Sequence, residues 1–122
     1  MEIEVKSLFE PSSENDGFRI LVGAIWPRGL KRNETEIDLW AKELAPSSEL
    51  RKWFNYDPNK WEEFVEDYTF QLNRNRKRME QLISIVQHHP KVSLLYIPRQ
   101  EPYNYALAMK YYLERHISDA PN

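Results

Sequence analysis

A chain of 122 residues, with 41% hydrophobic and 30% charged residues, has room for one globular domain with its own core. Its formal net charge of −2 argues against nucleic acid as a general partner, because the molecule as a whole does not attract phosphates. The absence of cysteine excludes disulfides, thiolate nucleophiles and sulfur-ligated zinc or iron, and it fits a reducing compartment. No apolar run reaches the roughly 20 residues of a membrane span, and no signal-peptide pattern opens the chain, so we expect a soluble, cytoplasmic protein.

The N-terminal part of the chain predicts two strands joined by a short loop. Residues from Ile3 to Leu8 alternate between apolar and polar side chains, which is the twofold period of a strand. The run from Phe18 to Ile25 is mostly apolar and predicts a second, buried strand. The loop between them, residues 11–17, is shorter than the roughly one dozen residues of a helical crossover. We therefore expect these two strands to pair antiparallel.

A turn of sequence Trp26-Pro27-Arg28-Gly29 follows the second predicted strand, because proline and glycine interrupt strand pairing. Open α/β sheets bind their ligands beyond the carboxyl ends of the strands. Arg28 is therefore placed to meet a bound anion, since its guanidinium offers a planar fork of donors that suits phosphate or carboxylate. Gly29 would let the backbone approach such a ligand closely, and Trp26 would offer a flat platform for stacking.

The segment from Ile37 to Leu44 fits two periodicities. Ile37, Trp40 and Leu44 would share one face of a helix, whereas a twofold alternation would make the same segment a strand. The residues alone leave this choice open.

Three helices are predicted in the middle of the chain. Ser47 is placed to cap a short helix that ends near Phe54. Asp57 and Pro58 are typical of a second helix start, because proline has no N–H to leave unpaired in the first turn. Asn75 begins the third predicted helix. Each of the two longer helices has an apolar stripe, formed by Trp61, Phe64, Val65, Tyr68 and Leu72 in one and by Met79, Leu82, Ile83 and Val86 in the other.

The C-terminal third predicts a central strand and a final helix. Residues 92–97 are apolar apart from Ser93, which is typical of a strand buried in a parallel sheet. Pro102 is placed to open the last helix, and its inward face would consist of Tyr105, Ala108, Met109, Tyr112 and Leu113. The order of elements predicts an α/β fold: one small domain over residues 1–122, with a mostly parallel sheet of about four strands flanked by helices. We expect the last few residues to be disordered.

Further cations and one amide are expected near the carboxyl ends of the strands. Arg99 follows the predicted central strand, and Asn104 lies in the first turn of the last helix. Arg51 lies near a helix start, where free N–H groups favour anions. Together with Arg28, these residues predict a pocket for an anion. The structural alternative is that Arg28 pairs with a carboxylate such as Glu43 and only fixes the turn.

The other chemically distinctive groups are better explained by structure. The basic run at residues 74–78 follows several carboxylates, so a solvated helix face is favoured over contact with RNA. His88 and His89 suit the carboxyl end of a helix, and adjacent loop residues are poorly placed to share a metal ion. The three glycines form neither a phosphate-binding loop nor a dinucleotide fingerprint. We therefore predict no metal and no cofactor.

Four stretches of the chain have a distinctive order and spacing, namely Asp16–Val22, Trp26–Gly29, Leu44–Phe54 and Leu94–Tyr96. They resemble the YeaO-like proteins, which are short members of the family called domain of unknown function 488 (DUF488). The likeness covers nearly the whole chain. In longer relatives the stretch that corresponds to residues 37–44 resembles a strand, which favours a short strand here. The family has no established activity, so the resemblance implies no particular reaction.

The chain departs from the family pattern at three places where the resemblance would put chemistry. Lys6-Ser7 stands where typical members have Lys-Arg, and Gly23-Ala24 stands where they have Asp-Arg. Tyr103 stands where they usually have histidine before the asparagine that matches Asn104. These departures remove charged or titratable groups from three strand ends. They put a family-wide catalytic role in doubt for this chain.

The sequence supports two hypotheses of function. In the first, the domain binds an anionic or nucleotide-like ligand at the strand ends, with Arg28 as the anion clamp. Arg51 and Arg99 would add positive charge there, and Asn104 would orient a polar group. In the second, a ligand-binding fold that has lost its reactive groups serves as a non-catalytic module for a protein or RNA partner. The first is favoured by the location of Arg28, while catalysis itself and homodimer formation are left open.

Overall fold

The computed structural model describes residues 1–31, 35–97 and 103–117, which form four strands and four α-helices. The strands are β1 (Glu2–Ser7), β2 (Phe18–Leu21), β3 (Leu39–Trp40) and β4 (Lys91–Tyr96). The helices are α1 (Ser48–Phe54), α2 (Trp61–Arg74), α3 (Arg76–Gln87) and α4 (Tyr105–His116). Two residues singled out above, Pro102 and Arg99, lie outside the described residues, as do the C-terminal residues 118–122 that we expected to be disordered.

The four strands form one sheet in the order β1-β4-β2-β3, and all neighbouring strands are parallel. β4 lies inside the sheet, where Leu94 is flanked by Val5 of β1 and Ile20 of β2. Residues of all four helices share one hydrophobic core with the sheet, and α4 lies directly against β1 and β4. The predicted α/β fold, one small domain with a mostly parallel sheet of about four strands, is confirmed.

The expectation that β1 and β2 pair antiparallel is wrong, because β4 lies between them and runs parallel to both. Residues 8–17 return the chain to the start of the sheet with one short 3-10 helix at Glu14–Asp16 and no α-helix. About ten residues of extended chain span up to roughly 30 Å. That exceeds the roughly 20 Å of a six-residue strand such as β1. The ten residues after β1 are therefore long enough to return to the start of the sheet, so a parallel β2 is possible without a helix between the strands.

The strand β2 is shorter than the apolar run that predicted it, since it ends at Leu21 rather than at Ile25. The Val22 N–H still donates to the Leu95 carbonyl (3.1 Å), and the chain then leaves the sheet. Ile25 is 65% exposed, so its apolar side chain does not mark a buried strand. The Trp26–Gly29 turn consequently begins several residues beyond the strand rather than at its end.

The strand predicted within residues 37–44 is confirmed only at Leu39–Trp40, which pairs with the end of β2. Residues Lys42–Leu44 then form a 3-10 helix. Both periodicities of this segment are therefore partly realised, one after the other. β3 is an edge strand of minimal length.

The two faces of the sheet are covered differently. One side, which we call the helix face, belongs to the same apolar core as the helices and includes Ile3, Ile20, Val92 and Leu94. The other side, which we call the loop face, is covered by the connection between β2 and β3. Its apolar cluster consists of Leu8, Leu21 and Leu95 with Trp26, Leu30, Ile37 and Trp40.

The predicted helix starts in the middle of the chain are confirmed. The Ser47 hydroxyl accepts a hydrogen bond from the Leu50 N–H (3.2 Å) at the start of α1. The Asp57 carboxylate accepts one from the Asn59 N–H (3.0 Å), and Pro58 occupies the first turn of a 3-10 helix that continues into α2. The fully buried members of the two predicted stripes are Phe64, Tyr68, Leu72, Met79, Leu82 and Val86.

Candidate functional site

Arg51 lies in α1, on the same side of the sheet as the helical core. Its side chain is half-buried, and the buried Nε atom has no hydrogen-bond partner. No carboxylate among the described residues forms an ion pair with it. The Arg51 N–H already donates to the Ser47 carbonyl (2.9 Å), so α1 supplies no free N–H group at this position. Arg51 is therefore a cation that has no counter-charge among the described residues and no hydrogen bond at its buried Nε.

Two tyrosine hydroxyl groups, those of Tyr56 and Tyr105, meet near the start of α4. The Tyr56 and Tyr105 oxygens are 2.8 Å apart and share a hydrogen bond, and their ring centroids are separated by 5.4 Å. Burial raises the pKa of Tyr105, and the Tyr56 hydrogen bond and the positive charge of Arg51 oppose that shift. Arg51 is thus within electrostatic reach of the residue that begins α4.

The backbone that presents Tyr56 is strained. Asn55 ends α1 in the left-handed conformation (φ 42°), and Tyr56 follows with φ 55°. A bulky residue with positive φ is a rare outlier, and such a conformation costs on the order of 1–3 kcal/mol. The Tyr56 side chain is held in place by Tyr105 and by edge contact with Phe54 (5.6 Å).

Asn104 lies at the start of α4, where the sequence placed it, and it is 2% exposed. Its Oδ1 accepts a hydrogen bond from the Leu107 N–H (2.9 Å), which is the contact of a helix cap. Tyr105, whose hydroxyl responds to the charge of Arg51, comes next in the chain. The two predicted site residues Arg51 and Asn104 are thus related only through Tyr105, and their convergence on one pocket stays a prediction.

The Trp26–Gly29 turn lies on the loop face of the sheet. The Trp26 indole N–H donates to the Leu30 carbonyl, and the ring meets the edge of Trp40 at 5.2 Å. Arg28 is exposed and forms no ion pair with any described residue. Gly29 is also exposed and has positive φ (83°), which closes the turn.

The Arg28–Glu43 pair, the structural alternative for Arg28, is not formed. The Glu43 carboxylate instead lies 3.6 Å from Arg78. The helix-face group with Arg51 and the loop-face turn with Trp26 are packed in separate apolar clusters. Arg99, which was expected to converge with Arg28 on one pocket, lies outside the described residues.

The sequence did not identify the buried polar groups of the loop face. Arg19 is 4% exposed, although it lies in a strand between Phe18 and Ile20. Its partner is Asp16, which also accepts hydrogen bonds from Lys6 (2.8 Å). A charged residue inside an apolar strand was the signal, because a buried arginine needs a counter-charge.

At two of the positions that depart from the family pattern, Ser7 and Tyr103, the side chains make local structural contacts. Ser7 is buried, and its hydroxyl accepts a hydrogen bond from the Phe9 N–H (3.1 Å). Tyr103 packs its ring 5.0 Å from that of Trp61. Over the described ranges, no group of three or more His, Asp or Glu side chains is arranged to hold a metal ion. No helix within those ranges has the length and apolar character needed to cross a bilayer.

A family profile described as "Inactive DUF488-N3 subclade" matches residues 2–121. The uncharacterised protein YeaO of Escherichia coli (strain K12) is 36% identical over 109 residues, which cover 89% of this chain and 94% of YeaO. The uncharacterised proteins Rv3073c of Mycobacterium tuberculosis (strain H37Rv) and Mb3100c of Mycobacterium bovis are each 35% identical over 71 residues, or 58% of this chain and 60% of theirs. No solved structure matches the chain. The chain belongs to the DUF488 family, as a YeaO-like protein of the inactive DUF488-N3 subclade.

Proposed function

We propose that this protein is a non-catalytic domain that binds a small anionic ligand at the start of α4, where Arg51 supplies the positive charge. The observation that carries this proposal is the buried Arg51 Nε, which has no hydrogen-bond partner. Buried polar groups are almost always paired, and an unpaired N–H costs about 1–3 kcal/mol. A phosphate or carboxylate on this guanidinium would remove that cost.

The neighbouring groups suit an anion. The Tyr56 and Tyr105 hydroxyls are mutually bonded at 2.8 Å, which leaves one of the two protons for an outside acceptor. The first turn of α4 adds N–H groups that have no acceptor within the helix. A strained Tyr56 also fits a binding site, because such conformations concentrate where a ligand is held.

Aromatic side chains next to the start of α4 favour an anion that also carries a flat ring. Tyr103 immediately precedes the Asn104 cap, and its ring lies 5.0 Å from Trp61. Flat rings favour ligands that carry a base or another aromatic group. The preferred candidates are therefore nucleotides and aromatic phosphates rather than simple carboxylates.

The absence of catalysis is supported by the family and by the residues themselves. The matching subclade is described as inactive. Ser7, Gly23, Ala24 and Tyr103 occupy the positions where typical family members have charged or titratable groups. The domain would retain the ligand without changing it.

The remaining candidates have subsidiary parts in this proposal. Arg28 is exposed and forms no ion pair with a described residue, but its turn lies on the loop face, so its contact with the same anion stays a prediction. Arg99 stays a prediction as a second positive charge, and Gly29 and Trp26 stay predictions as a close-approach position and a platform. Asn104 is proposed to act mainly as the cap of α4, which fixes the direction of the first N–H groups of that helix.

Calorimetric titration with inorganic phosphate and with nucleoside monophosphates tests the proposal. We expect the wild-type protein to bind a monophosphate and Arg51→Gln to bind it at least about ten-fold more weakly, because a charge-assisted contact is lost. The control is Arg76→Gln, which removes the same charge from an exposed position and should leave the affinity within about twofold. Arg28→Ala then decides whether the turn contributes.

Three results would overturn parts of the proposal. No binding of any of these anions by the folded wild-type protein would remove the site. Equal affinity of wild type and Arg51→Gln, both folded by circular dichroism, would remove Arg51 from it. A new product on prolonged incubation, detected by chromatography of the nucleotide, would contradict the non-catalytic role.

A further inference from the structure

The outward face of α2 is exposed to solvent although it includes a phenylalanine. Residues three and four positions apart lie on one face of a helix. The Phe70 side chain is 60% exposed at the middle of this face. The other exposed members are Glu63, Glu66 and Asp67 before it and Asn73 and Arg74 after it.

Charge is divided along this face. The three carboxylates precede Phe70, whereas Arg74 follows it and lies over its ring (5.8 Å from Cζ to the centroid). The next helix begins with the further cations Arg76, Lys77 and Arg78. Within the described residues, none of Glu63, Glu66, Asp67 and Arg74 forms an ion pair.

The helix dipole explains only part of this arrangement. Carboxylates near the amino end and cations near the carboxyl end stabilise any helix. That effect gives no reason for an exposed phenylalanine between the two charged groups. Beside Phe70 lies an open groove, whose walls include Leu44, Ala45 and Leu72.

We propose that two copies of this chain associate through α2 in antiparallel orientation, about a twofold axis that passes close to Phe70. In that arrangement Glu66 of each copy lies opposite Arg74 of the other, because both are four residues from Phe70. Each Phe70 ring gains an apolar neighbour in the other copy. A twofold interface always repeats its contacts in this reciprocal way.

A second copy fits this face better than an acidic peptide or RNA. An acidic partner would be attracted by Arg74 but repelled by Glu63, Glu66 and Asp67 on the same face. RNA phosphates would meet the same repulsion. Only a partner that offers both signs in reverse order complements the whole face, and an antiparallel copy does so by construction. Because α2 has 14 residues and is about 21 Å long, the contact is small and the dimer reversible.

Sedimentation velocity over a concentration range that reaches about 1 mM measures this association, including a Kd of that order. We expect wild type to dimerise with concentration, and the charge reversals Glu66→Arg and Arg74→Glu each to weaken it at least about ten-fold. The double variant that combines both reversals should restore the wild-type Kd to within about threefold, since the pair is re-formed with opposite polarity. The control, Glu114→Arg, makes the same charge change as Glu66→Arg at an exposed position of α4 and should leave the dimer Kd unchanged.

Each other outcome is decisive. A wild-type protein that is monomeric throughout the range overturns the proposal. A dimer that Glu66→Arg does not weaken forms through another surface, which also overturns it. Failure of the double variant to recover, with circular dichroism spectra unchanged, overturns the antiparallel pairing. Because Arg51 is on α1 and its anion is measured by calorimetry, failure of the dimer and failure of the anion site are distinguishable.

Discussion

Arg19 and Asp16 form an ion pair in which each side chain is only 5% exposed. Lys6 of β1 donates to the same carboxylate at 2.8 Å, and the Ser93 hydroxyl of β4 donates to the Asp16 carbonyl at 2.7 Å. Arg19 Nε also donates to the Glu36 carbonyl. One short segment before β2 therefore connects three strands and the loop that covers them. The polar groups of the loop face are paired, in contrast to Arg51 on the helix face.

Asp16 should make folding sensitive to acid. Burial alone would raise its pKa, but hydrogen bonds from Lys6, the Ser13 backbone and Arg19 lower the pKa to about 2. The unfolded chain has the ordinary value of 3.8. Since the folded pKa is depressed, the stabilisation is present above about pH 4 and is lost as the pH falls through about 2. We expect ionised Asp16 to contribute about 2 kcal/mol to the free energy of unfolding, measured by urea unfolding at a series of pH values.

Asp16→Asn is the matched variant for that titration. It keeps the shape of the side chain and removes the charge, so its stability should fall less between pH 4 and pH 2 than that of wild type. At neutral pH it should be less stable than wild type, because Arg19 and Lys6 lose their counter-charge. An identical acid profile for the two proteins would show that other carboxylates cause the loss.

The buried Arg19 and the half-buried Arg51 should differ in their response to replacement by methionine. Arg19→Met leaves Asp16 with one cation fewer in a buried site, so we expect a loss of about 3 kcal/mol or more in the free energy of unfolding. Arg51→Met removes an unpaired N–H and keeps an apolar stem, so its effect should lie within about 1 kcal/mol of wild type. Urea unfolding without added anions measures both. A large loss for Arg51→Met would mean that the guanidinium is satisfied in the free protein.

Gly17 should tolerate no side chain. Its φ is 68°, and a Cβ atom there would collide with the Lys91 carbonyl of β4. We expect Gly17→Ala to lower the free energy of unfolding by about 2 kcal/mol or more, measured by urea unfolding. Gly23→Ala is the control, because apart from its chain neighbours no atom lies within 4 Å of the place a Cβ would take, and its φ is not positive. That variant should change stability by less than about 1 kcal/mol in either direction.

Much of the fold was predictable because its signals are local. The Ser47 cap depends on residues within one helical turn. The stripe that includes Phe64 and Tyr68 depends on helical spacing alone. The order of the strands depends instead on how residues 8–17 travel across the sheet, and their length allows both a hairpin and a parallel return. Strand order was therefore the part that the sequence left undetermined.

The candidate site was less predictable, because it depends on contacts between distant residues. Tyr105 belonged to the predicted inward face of α4, and nothing local to it indicates that its hydroxyl meets Tyr56, 49 residues away. Arg51 was predicted from the free N–H groups of a helix start, but its own N–H is bonded within α1, and its charge acts instead on the hydroxyl of Tyr105. Arg28 was predicted from the end of a strand that stops earlier, at Leu21.

Tyr68→Phe should remove a buried side-chain hydrogen bond of α2 while keeping the packing of the aromatic ring. The Tyr68 hydroxyl donates to the Leu44 carbonyl at 2.6 Å and so ties α2 to the 3-10 helix after β3. Removal of the hydroxyl leaves that carbonyl without this donor, and we expect a loss of about 1–2 kcal/mol in the free energy of unfolding.

The control for this variant is Tyr111→Phe, because Tyr111 of α4 is 40% exposed. Loss of its hydroxyl should lower the free energy of unfolding by less than about 0.5 kcal/mol.

Burial also raises the pKa of Tyr68 well above its ordinary value, with a smaller contribution from Tyr105. Tyr68 should therefore stay protonated in alkaline solution for as long as the protein is folded. An alkaline ultraviolet titration should then give the same number of ionising tyrosines in Tyr68→Phe as in wild type below the unfolding pH. One ionising group fewer in the variant would contradict the buried position of this hydroxyl and its bond to Leu44.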